Sequence, residues 1–582
     1  MKDDVNGRFE PDEPPRRPLN EERAQLGFER KKRMVRWLSP TQLFHTGRQA
    51  LFAVLISGYT DKREIEAALP RPEILDRTED EEIWIDFVSD LGDGFNPTYA
   101  LAYLLAKPSL DLPDPLPRGD ILVMGGDQVY PAASQDRYRD HVVGPYRAAL
   151  PYLTADQPHL FVLPGNHDWF DGLTSFMRVF CQQGWVGAWR TTQTRSYFAI
   201  KLPGHKWLWG IDIQFDNYID WPQLTYFRDV VSSDLEPGDG VILCVAKPSW
   251  VDANVAEPIR DPDLYATLDF FEQATIFDRG ASVPLAISGD RHHYARYEWR
   301  GDKQLITCGG GGAFLSETHA LPDSIQVPPE DSSDPSPTPS VTYTRANRYP
   351  EKMDSLKQAW LHGWSLLWRN DAFPVLVGVV GALFGLIGRA RITAEAQSFW
   401  AVPDRWWRLV FFWLFSIALV MSLVRFTKTR GILAWALGLM HTAAHLIGIA
   451  ATVWAASLAV RTALPDIDSA WHVALTLLAT FLIYAIAGSE IFALYLLIAD
   501  RFAVNRTELF ASMRIQDRKS FLRLRIHAGG CTVYPVKVEK VPRKWLLQPD
   551  GDPGAPWFEP VGDPPLPELI EPAITISREQ TT

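Results

Sequence analysis

The first half of the chain alternates short apolar runs with polar stretches. Runs rich in β-branched and aromatic residues recur from about residue 82, and each ends in Gly, Asp, Asn or His. Runs of this length bounded by turn residues are typical of strands. The predicted strands cover residues 82–89, 120–124, 159–163, 196–201, 207–211, 241–246, 284–288 and 304–307. Residues 196–211 form a predicted hairpin, and the earlier runs alternate with helix-length connections. The pattern therefore predicts an α/β sandwich of mixed sheets.

The pattern changes after Asp371, where long apolar stretches begin. They cover residues 373–387, 409–424, 432–460 and 470–499. The last two exceed the roughly 20 residues that an α-helix needs to cross the hydrocarbon core, and the first two approach that length. The sequence therefore predicts a transmembrane region of about four helices.

The charges beside these stretches predict an orientation. The loop 425–430 is strongly basic, whereas the loop 461–469 is acidic. Because basic loops are retained in the cytoplasm, alternation places both termini there, although Arg389 and Arg391 then lie on the outer side. The first thirty residues have no apolar core of the kind a secretory signal requires, which agrees. We therefore expect a multi-pass membrane protein with its N-terminal domain on the cytoplasmic side.

Five regions follow from these patterns. They are a polar and amphipathic region (1–80), an α/β domain (81–320), a Pro- and Ser-rich linker (321–370), the membrane helices (371–500) and a small β-rich cytoplasmic element (501–582) predicted to pack on the α/β domain. The first region contains the basic run 30–33, which is either a solvated tail or a contact with acidic lipid headgroups.

Composition and charge exclude two classes of site. The chain of 582 residues has a net charge of −12 and a pI of about 5.6, whereas a surface that binds a nucleic-acid backbone needs a basic field. Nucleic acid is therefore not an expected partner, and a phosphate-containing small molecule remains compatible. The four cysteines lie far apart without a CxxC pair, which argues against a disulfide framework and a thiolate zinc site.

Polar clusters follow four of the predicted strands, at residues 89–94, 125–130, 164–168 and 288–293. Asp, Asn and His at the tips of adjacent strands bring oxygen and imidazole ligands to one cleft, as a two-metal hydrolytic site requires. A single Asp-Gly or Gly-Asn pair is an ordinary turn. Four such clusters in series at strand ends indicate more than ordinary turns.

These clusters resemble the calcineurin-like metallophosphoesterase superfamily. The segments 90–92, 126–130 and 165–168 read Asp-Leu-Gly, Gly-Asp-Gln-Val-Tyr and Gly-Asn-His-Asp, and they match three motifs of that superfamily in order. The first two forms are similar to those of purple acid phosphatases, whose Tyr ligates ferric iron. The resemblance implies a four-layer α/β/β/α sandwich, a dinuclear metal site and a hydroxide nucleophile.

The resemblance also implies the residues of the site. Two divalent metal ions (Mn, Fe, Zn or Mg) would be bridged by Asp127. The implied metal ligands are Asp90, Asp93, Asp127, Tyr130, Asn166, Asp290 and His292. The implied catalytic residues are His167, Asp168 and Lys247. His167 would steady the phosphoryl group and protonate the leaving oxygen, and Asp168 would orient His167.

Two positions depart from the family pattern. Asp290 stands where the last motif begins with His, and a carboxylate is still a competent ligand. Ala246 and Lys247 stand where a lone His ligand is expected. Lys247 is then either a cation that neutralises phosphate charge or a surface lysine. Asp93, close to Asp90 in sequence, is either a replacement ligand or a turn carboxylate.

Two further features leave alternatives open. The run 308–319 contains four consecutive glycines, which either form an anion-binding nest or pack tightly beside the site. His441, His445 and Glu490 lie within predicted membrane helices. They either form a proton or metal path or make hydrogen bonds between helices.

The sequence as a whole predicts a membrane-anchored enzyme that hydrolyses phosphate mono- or diesters. A lipid-linked or membrane-derived phosphate ester is the expected substrate, and membrane lipids are expected partners. The alternative is a degenerate family member, a sensor or scaffold that binds metal or nucleotide without turnover, which Ala246 and Lys247 favour. A transporter with a regulatory domain is less favoured, because the predicted helices offer few polar positions.

Overall fold

The computed structural model describes residues 14–30, 33–43, 68–214, 218–255, 263–330, 340–364, 366–387 and 406–577. Several positions used above lie outside the described residues: Lys31 and Lys32 of the basic run, the Pro- and Ser-rich stretch 331–339, and Arg389 and Arg391.

The described residues contain two nine-stranded sheets and two small two-stranded sheets. The strands are β1 (Leu75–Asp76), β2 (Glu82–Val88), β3 (Ser109–Leu110), β4 (Leu116–Pro117), β5 (Ile121–Met124), β6 (His159–Val162), β7 (Trp185–Val186), β8 (Trp189–Thr191), β9 (Phe198–Leu202), β10 (Lys206–Ile211), β11 (Gly240–Val245), β12 (Ser282–Ser288), β13 (Tyr294–Trp299), β14 (Lys303–Cys308), β15 (Ser324–Val327), β16 (Val341–Tyr349), β17 (Lys519–His527), β18 (Gly530–Val538), β19 (Trp545–Leu547), β20 (Phe558–Pro560), β21 (Pro567–Leu569) and β22 (Ile574–Ser577). The first sheet has the order β1-β9-β10-β11-β12-β14-β13-β16-β15, and the second has the order β21-β18-β17-β2-β5-β6-β8-β7, with β22 also paired to β18.

Helices connect and cover these strands. The α-helices are α1 (Arg23–Leu26), α2 (Phe95–Ala106), α3 (Gln135–Tyr138), α4 (Gly144–Ala149), α5 (Thr174–Phe180), α6 (Trp221–Thr225), α7 (Ser249–Asp252), α8 (Asp263–Thr275), α9 (Lys352–Gly363), α10 (Leu366–Arg369), α11 (Ala372–Ile387), α12 (Trp406–Phe426), α13 (Gly431–Ala463), α14 (Ser469–Asp500) and α15 (Arg506–Met513). Short 3₁₀ and π-helical turns extend several of them.

All eight predicted strands are present, with ends that differ by at most two residues from those expected. The predicted hairpin is the antiparallel pair β9 and β10. Alternation along β2 shows why the pattern was informative. Ile83, Ile85 and Phe87 pack in one core, whereas Trp84 and Val88 pack in another, on the opposite face of the strand.

The described residues of the α/β part pack into three hydrophobic cores. One contains residues of both sheets, such as Phe87 of β2 and Leu208 of β10, so the two sheets face each other. A second joins the other face of the second sheet to helices that include α2 and α5. A third joins the other face of the first sheet to helices that include α8. The architecture is therefore mixed α/β with large sheets, and helices pack against the second face of each sheet.

The C-terminal residues belong to the same sheet as the first long strand. The sequence predicted a small β element that packs on the α/β domain, but β17 pairs with β2 in antiparallel register from Leu522 opposite Phe87 to His527 opposite Glu82. The predicted linker is also partly wrong, because β15 and β16 within it belong to the first sheet. β15 is only four residues long and β16 is mostly polar, so neither contains an apolar run that would have identified it.

The four predicted apolar helices are present as α11 to α14. In the part of the chain described here, α13 and α14, with 33 and 32 residues, are long and apolar enough to cross a membrane. In the most apolar 18 residues of each helix, only 33% and 44% are buried. Large side chains such as Leu439, Ile447 and Leu482 are exposed. Apolar surface of this extent favours membrane association over burial in a soluble core.

The two histidines within α13 contact each other and the next helix. His441 Nε2 and His445 Nε2 are 3.0 Å apart, and His445 Nδ1 lies 2.6 Å from the hydroxyl oxygen of Tyr484 on α14. The second contact joins two helices, which supports interhelical hydrogen bonding for this pair.

Candidate functional site

Loops from both sheets meet at one edge of the α/β part. The strands β2, β5 and β6 are parallel neighbours in the second sheet, and β11 and β12 are parallel neighbours in the first. The loops after these strands carry Asp90, Asp127, His167, Lys247, Asp290 and His292. The backbone N–H of Asp290 donates to Asp90 Oδ2 at 3.0 Å, so the two sets of loops are in direct contact.

Three aspartates in these loops have a left-handed backbone. The φ angles are 62° at Asp90, 49° at Asp127 and 65° at Asp290. This conformation is disfavoured for residues with a Cβ, and Asp tolerates it better than most. Such conformations cluster at functional sites, where the surrounding structure enforces them.

Two glycines allow the loops to approach closely. A Cβ at Gly165 would lie 2.1 Å from Asp127 Oδ1, and one at Gly289 would lie 1.8 Å from Ser89 Oγ. Any side chain at either position would push the aspartate loops apart. The glycine in each motif is therefore required by packing around the site.

The hydroxyl oxygen of Tyr130 lies close to three other electron-donating atoms. Its hydroxyl oxygen lies 3.0 Å from Asp90 Oδ1, 3.1 Å from Asp127 Oδ2 and 3.0 Å from His292 Nε2. His292 Nδ1 lies 2.8 Å from the carbonyl oxygen of Phe314, which can only accept. Nδ1 therefore carries the proton of the neutral ring, and Nε2 presents a lone pair. With both carboxylates ionised, the four atoms would share a single phenolic proton, and all four residues are buried.

Burial and mutual repulsion make this cluster unfavourable in the absence of a cation. Burial, followed by the charges of Asp127 and Asp290, raises the pKa of Asp90 well above its ordinary value. Burial and the charge of Asp290 raise the pKa of Asp127 to about 8. Burial keeps the pKa of His292 well below its usual range, so its ring is neutral. A positive ion between these groups would relieve the repulsion.

The donor set suits a divalent metal ion. Asp90, Asp127, Tyr130 and His292 offer oxygen and imidazole nitrogen ligands, a combination compatible with Mn, Fe or Zn. The Phe314 carbonyl orients the ring of His292, as carbonyl groups commonly do for histidines that ligate metals. These four predicted ligands are thus brought together around the Tyr130 hydroxyl oxygen, and they could hold one ion.

His167 lies beside this set. Its backbone N–H donates to Asp127 Oδ1 at 2.8 Å, and its Nδ1 lies 2.8 Å from the carbonyl oxygen of Pro131. Burial lowers the pKa of His167 to about 4, so the ring is neutral and Nε2 has a lone pair. The neighbouring Asn166 is exposed, and so is Phe170, whose ring centroid is 5.4 Å from that of His167.

Asp168 does not orient His167, and that prediction is wrong. Its carboxylate accepts hydrogen bonds from the backbone N–H groups of Gly165, at 2.8 Å, and Gln128, at 3.2 Å, and from the Tyr138 hydroxyl. The Pro131 carbonyl holds the imidazole instead. Asp168 therefore connects the Asp127 loop to the His167 loop through hydrogen bonds and has a structural role.

Asp93 is also directed elsewhere. Its Oδ1 accepts a hydrogen bond from the backbone N–H of Val35 at 2.7 Å, in a segment near the N-terminus. Burial raises the pKa of Asp93 to about 6, and the charges of Arg514 and Lys519 oppose that rise. The prediction of Asp93 as a replacement ligand is corrected by these contacts, because its carboxylate anchors another segment.

Ala246 and Lys247 do lie at the site. A Cβ at Gly126 would be 3.1 Å from Ala246 Cβ, so Ala246 packs directly against the Asp127 loop. Lys247 is partly buried, and burial lowers its pKa while the charges of Asp252 and Asp290 raise it. The negative charges of Asp252 and Asp290 therefore favour the charged form of the lysine ammonium. The interpretation of Lys247 as an ordinary surface lysine is less favoured.

The glycine-rich run packs against the Asp90 loop. The backbone N–H of Gly311 donates to the Ser89 carbonyl oxygen and that of Ala313 to the Asp90 carbonyl oxygen, each at 2.8 Å. These donors are used within the protein. The contacts favour tight packing over an anion-binding nest for this run.

Sequence reasoning missed two residues of this region. Trp37 lies over the site, with its ring centroid 6.2 Å from that of Tyr130 and 5.8 Å from that of His167. Lys519 of β17 is fully buried and donates to the Ala313 carbonyl oxygen at 2.6 Å, and burial lowers its pKa to about 8. Both come from segments remote in sequence, so no local motif identifies them.

A cavity of about 310 Å³ separates the site from the apolar helices. On the side of the α/β part, its lining includes Asp290 and Arg291. On the helical side, it includes Lys428, which follows α12, and Arg506, which begins α15. The loop of Asp290 therefore borders both the aspartate cluster and a space next to the ends of the apolar helices.

A second group of potential ligands lies away from this site. His205, Glu236 and Asp239 bring their ligand atoms within 4.8 Å of one another. His205 and Glu236 are exposed, and Asp239 already accepts hydrogen bonds from the indole of Trp207 and the backbone N–H of Glu236. Exposed groups of this kind are common without an ion.

No protein-family model matches the chain, and no curated protein matches it. Among solved structures, the chain is similar to one described as "GAP50 the anchor in the inner membrane complex of Plasmodium". That match has 12% sequence identity and a TM-score of 0.31, and it covers 48% of this chain and 94% of the other. A TM-score of this size is too low to establish a shared fold.

Proposed function

We propose that the protein is a metal-dependent phosphoesterase that hydrolyses phosphate mono- or diesters. The observation that carries the proposal is the clustering of the buried side chains of Asp90, Asp127 and His292 around the Tyr130 hydroxyl oxygen, with two carboxyl groups that favour a bound cation once ionised. A divalent cation is the simplest group that satisfies these atoms. The two facing sheets with helices against their second faces support the four-layer metallophosphoesterase sandwich as the fold.

Different residues of the chain have different roles in this proposal. Asp90, Asp127, Tyr130 and His292 would hold one metal ion, and Asn166 and Asp290 would contribute to a second. A bound metal ion lowers the pKa of a water molecule towards about 7 and polarises a phosphoryl oxygen. Lys247, next to Asp290, neutralises negative charge on the phosphoryl group.

His167 acts on the leaving group. The Pro131 carbonyl fixes its ring through Nδ1, so Nε2 is the atom that meets the substrate. The neutral ring must gain a proton on Nε2 before it can act as a general acid. The negative charge of a bound phosphate ester raises the pKa of the ring and favours that proton.

The location of the site supports a membrane-borne substrate. The cavity bordered by Asp290 also borders Lys428 and Arg506, at the ends of apolar helices. A phosphate headgroup held at a membrane surface could therefore reach the site. The proposal includes a multi-pass protein of about four spans with this end of the helices in the cytoplasm, and the basic character of loop 425–430 supports that orientation.

A degenerate relative that binds metal or nucleotide without turnover is the second candidate. Ala246 favours it, because this residue packs against the Asp127 loop where an imidazole ligand is expected. With that ligand missing, a second ion would have fewer donors from the chain. Such a protein would bind one ion and a phosphate compound without hydrolysis.

Hydrolysis of an aryl phosphate by the purified full-length protein separates the two candidates. Activity with Mn²⁺ or Zn²⁺ that is lost on chelation and recovered on re-addition supports the enzyme, because the nucleophile depends on the metal. Full activity in chelator, with metal absence verified by mass spectrometry, would sink the proposed mechanism. Metal and phosphate binding without turnover would favour the degenerate relative.

A further inference from the structure

A segment near the N-terminus crosses the site. Met34 and Leu38 are buried, with exposures of 2% and 6%, in a core that also contains residues of the apolar helices. Between them, the backbone N–H of Val35 donates to Asp93, and Arg514 donates to the Met34 carbonyl oxygen at 2.8 Å. The segment is thus fixed on both sides of Trp37, and the indole has a defined position.

That position is next to the residues that would hold and protonate a substrate. The Trp37 ring meets Tyr130, His167 and Phe314 edge to face, with centroid distances of 6.2, 5.8 and 6.0 Å. Tyr130 belongs to the metal donor set, and Nε2 of His167 faces the leaving group in the proposed reaction. Trp37 therefore lies at the boundary of the volume that a phosphate ester would fill.

The indole N–H lacks an acceptor. Trp37 Nε1 is buried and has no hydrogen-bond partner among the described residues. Indole can only donate, and a buried donor without an acceptor is costly. An anionic phosphoryl oxygen beside Tyr130 and His167 would supply the missing acceptor. This unused donor points to a ligand with exposed negative oxygen.

The walls around His167 are aromatic. Phe170 is 42% exposed, with its ring 5.4 Å from that of His167, and the ring of Trp37 is 5.8 Å from that of His167 and packs on the buried Phe314. A leaving group accepting a proton from His167 would contact the rings of Phe170 and Trp37. Apolar or aryl leaving groups gain from such contact, whereas strongly hydrated ones lose water without compensation.

We infer that Trp37 is a substrate-binding residue: its N–H donates to a phosphoryl oxygen, and its ring, with that of Phe170, selects esters with an apolar leaving group. The inference rests on the proposed function for the identity of the site. It adds a residue outside the strand-end motifs and a preference for esters of aryl or acyl-chain alcohols over those of polar alcohols.

Two substitutions separate the parts of this role in the full-length protein. Trp37→Phe removes the N–H and keeps a ring, and Trp37→Leu removes both. Binding of inorganic phosphate is measured by calorimetry, and kcat/KM is measured for an aryl phosphate and for glycerol phosphate. Trp221→Phe, a change at an exposed tryptophan remote from the site, is the matched control.

Trp37→Phe should weaken phosphate binding and lower kcat/KM about tenfold or more for both esters, because a hydrogen bond to a charged group is lost. Trp37→Leu should also reduce the preference for the aryl ester, and the control should match wild type. Metal content should be unchanged in every variant, which separates these effects from misfolding. Wild-type phosphate binding and an unchanged ester preference in both Trp37 variants would overturn the inference.

The proposed function and this inference fail in different ways. A wild-type protein that hydrolyses neither ester, yet binds phosphate through Trp37, contradicts the proposed enzyme and keeps the binding residue. A wild-type protein that hydrolyses both esters with no effect of either Trp37 variant contradicts the inference alone. A protein without hydrolysis or phosphate binding contradicts both.

Discussion

Asp127 has contacts on both sides of the site. Its Oδ2 lies 3.1 Å from the Tyr130 hydroxyl oxygen, and its Oδ1 accepts the backbone N–H of His167 at 2.8 Å. It follows β5 with a φ of 49°, a backbone conformation that Asp tolerates better than most residues. A carboxylate with these contacts can bind a cation and fix the His167 loop at the same time.

The raised pKa of Asp127 predicts that metal binding depends on pH. The metal-free carboxyl has a pKa of about 8, so below pH 8 it carries a proton that the metal must displace. Affinity for Mn²⁺ should therefore fall by about tenfold or more for each pH unit between pH 8 and pH 6, since the pKa of Asp90 is raised as well. Calorimetry in buffers of different ionisation enthalpy measures both the affinity and the protons released.

The variant Glu236→Gln disables the exposed group of His205, Glu236 and Asp239 and should leave this pH dependence intact. A Mn²⁺ affinity that is constant from pH 6 to pH 8 would show that the aspartate cluster is not the binding site.

Ala246 predicts how a second ion could be introduced. The variant Ala246→His adds an imidazole against the Asp127 loop, so metal content should rise from about one to about two ions per chain. Mass spectrometry of the purified protein measures the ratio. Ala246→Gln, similar in size but without an imidazole nitrogen, is the control for strain. The same metal content in both variants would contradict this assignment of the position.

The sequence predicted part of the site. Asp90, Asp127, Tyr130 and His292 were assigned from motifs at strand ends, where the chain must turn and parallel strands bring the loops together. Asp168 and Asp93 were misassigned, because adjacency in sequence does not fix the direction of a side chain. Trp37 and Lys519 could not be found, since their contacts join segments that are separated by more than ninety residues.

At the level of elements, β17 is part of the sheet that carries the site. Arg523 on β17 pairs with Asp86 on β2 through two contacts, of 2.6 and 2.9 Å, and also donates to the Leu116 carbonyl oxygen. Arg523 is fully buried and Asp86 is 2% exposed. The pair joins the C-terminal strands to β2, the strand that precedes the loop of Asp90.

Breaking this pair should destabilise the α/β part. Arg523→Met leaves Asp86 as an uncompensated buried charge, with an expected loss of about 3 to 5 kcal/mol in the free energy of unfolding. Arg525 lies on β17 like Arg523, and its exposed side chain pairs with Glu82 of β2. Arg525→Met should lower the free energy of unfolding by no more than about 1 kcal/mol. Denaturant unfolding in detergent compares the two. Equal stability of both variants would mean that β17 is not needed for the stability of the α/β part, as expected if the C-terminal strands formed a separate element.

The elements with strong periodicity were predicted well. The eight strands and four apolar helices each have a local pattern long enough to identify them. The sequence did not predict that β17 belongs to the second sheet, because its partner β2 lies more than four hundred residues earlier. Pairing over such a distance leaves no trace in local hydrophobicity.

For the whole molecule, the pairing of β2 with β17 restricts the path of the helices. The residues before α11 and after α15 belong to the same α/β part, so an even number of helices crosses any membrane between them. Both α13 and α14 are long enough to cross, and their connection lies at the end opposite the cavity. Four spans agree with this restriction, and so do two.

Single engineered cysteines test this arrangement, because the four native cysteines are buried. Asp302→Cys, in a turn of the first sheet, and Asp563→Cys, near the C-terminal strands, should both be protected from an impermeant maleimide in intact cells. Asp466→Cys, between α13 and α14, should be labelled. Labelling of Asp302→Cys or Asp563→Cys from outside would overturn the cytoplasmic orientation, and a difference between the two would contradict the pairing of β2 with β17.

The contrast between Asp127→Asn and His167→Ala, measured as metal content and aryl phosphate hydrolysis in the same preparations, tests the central claim most directly. Asp127→Asn removes a charge from the donor set, so metal and activity should be lost together. His167→Ala keeps the backbone N–H that holds Asp127, so metal should be retained while activity falls by about 10²- to 10⁴-fold. Loss of metal from His167→Ala, or an active Asp127→Asn with metal bound, would contradict the account.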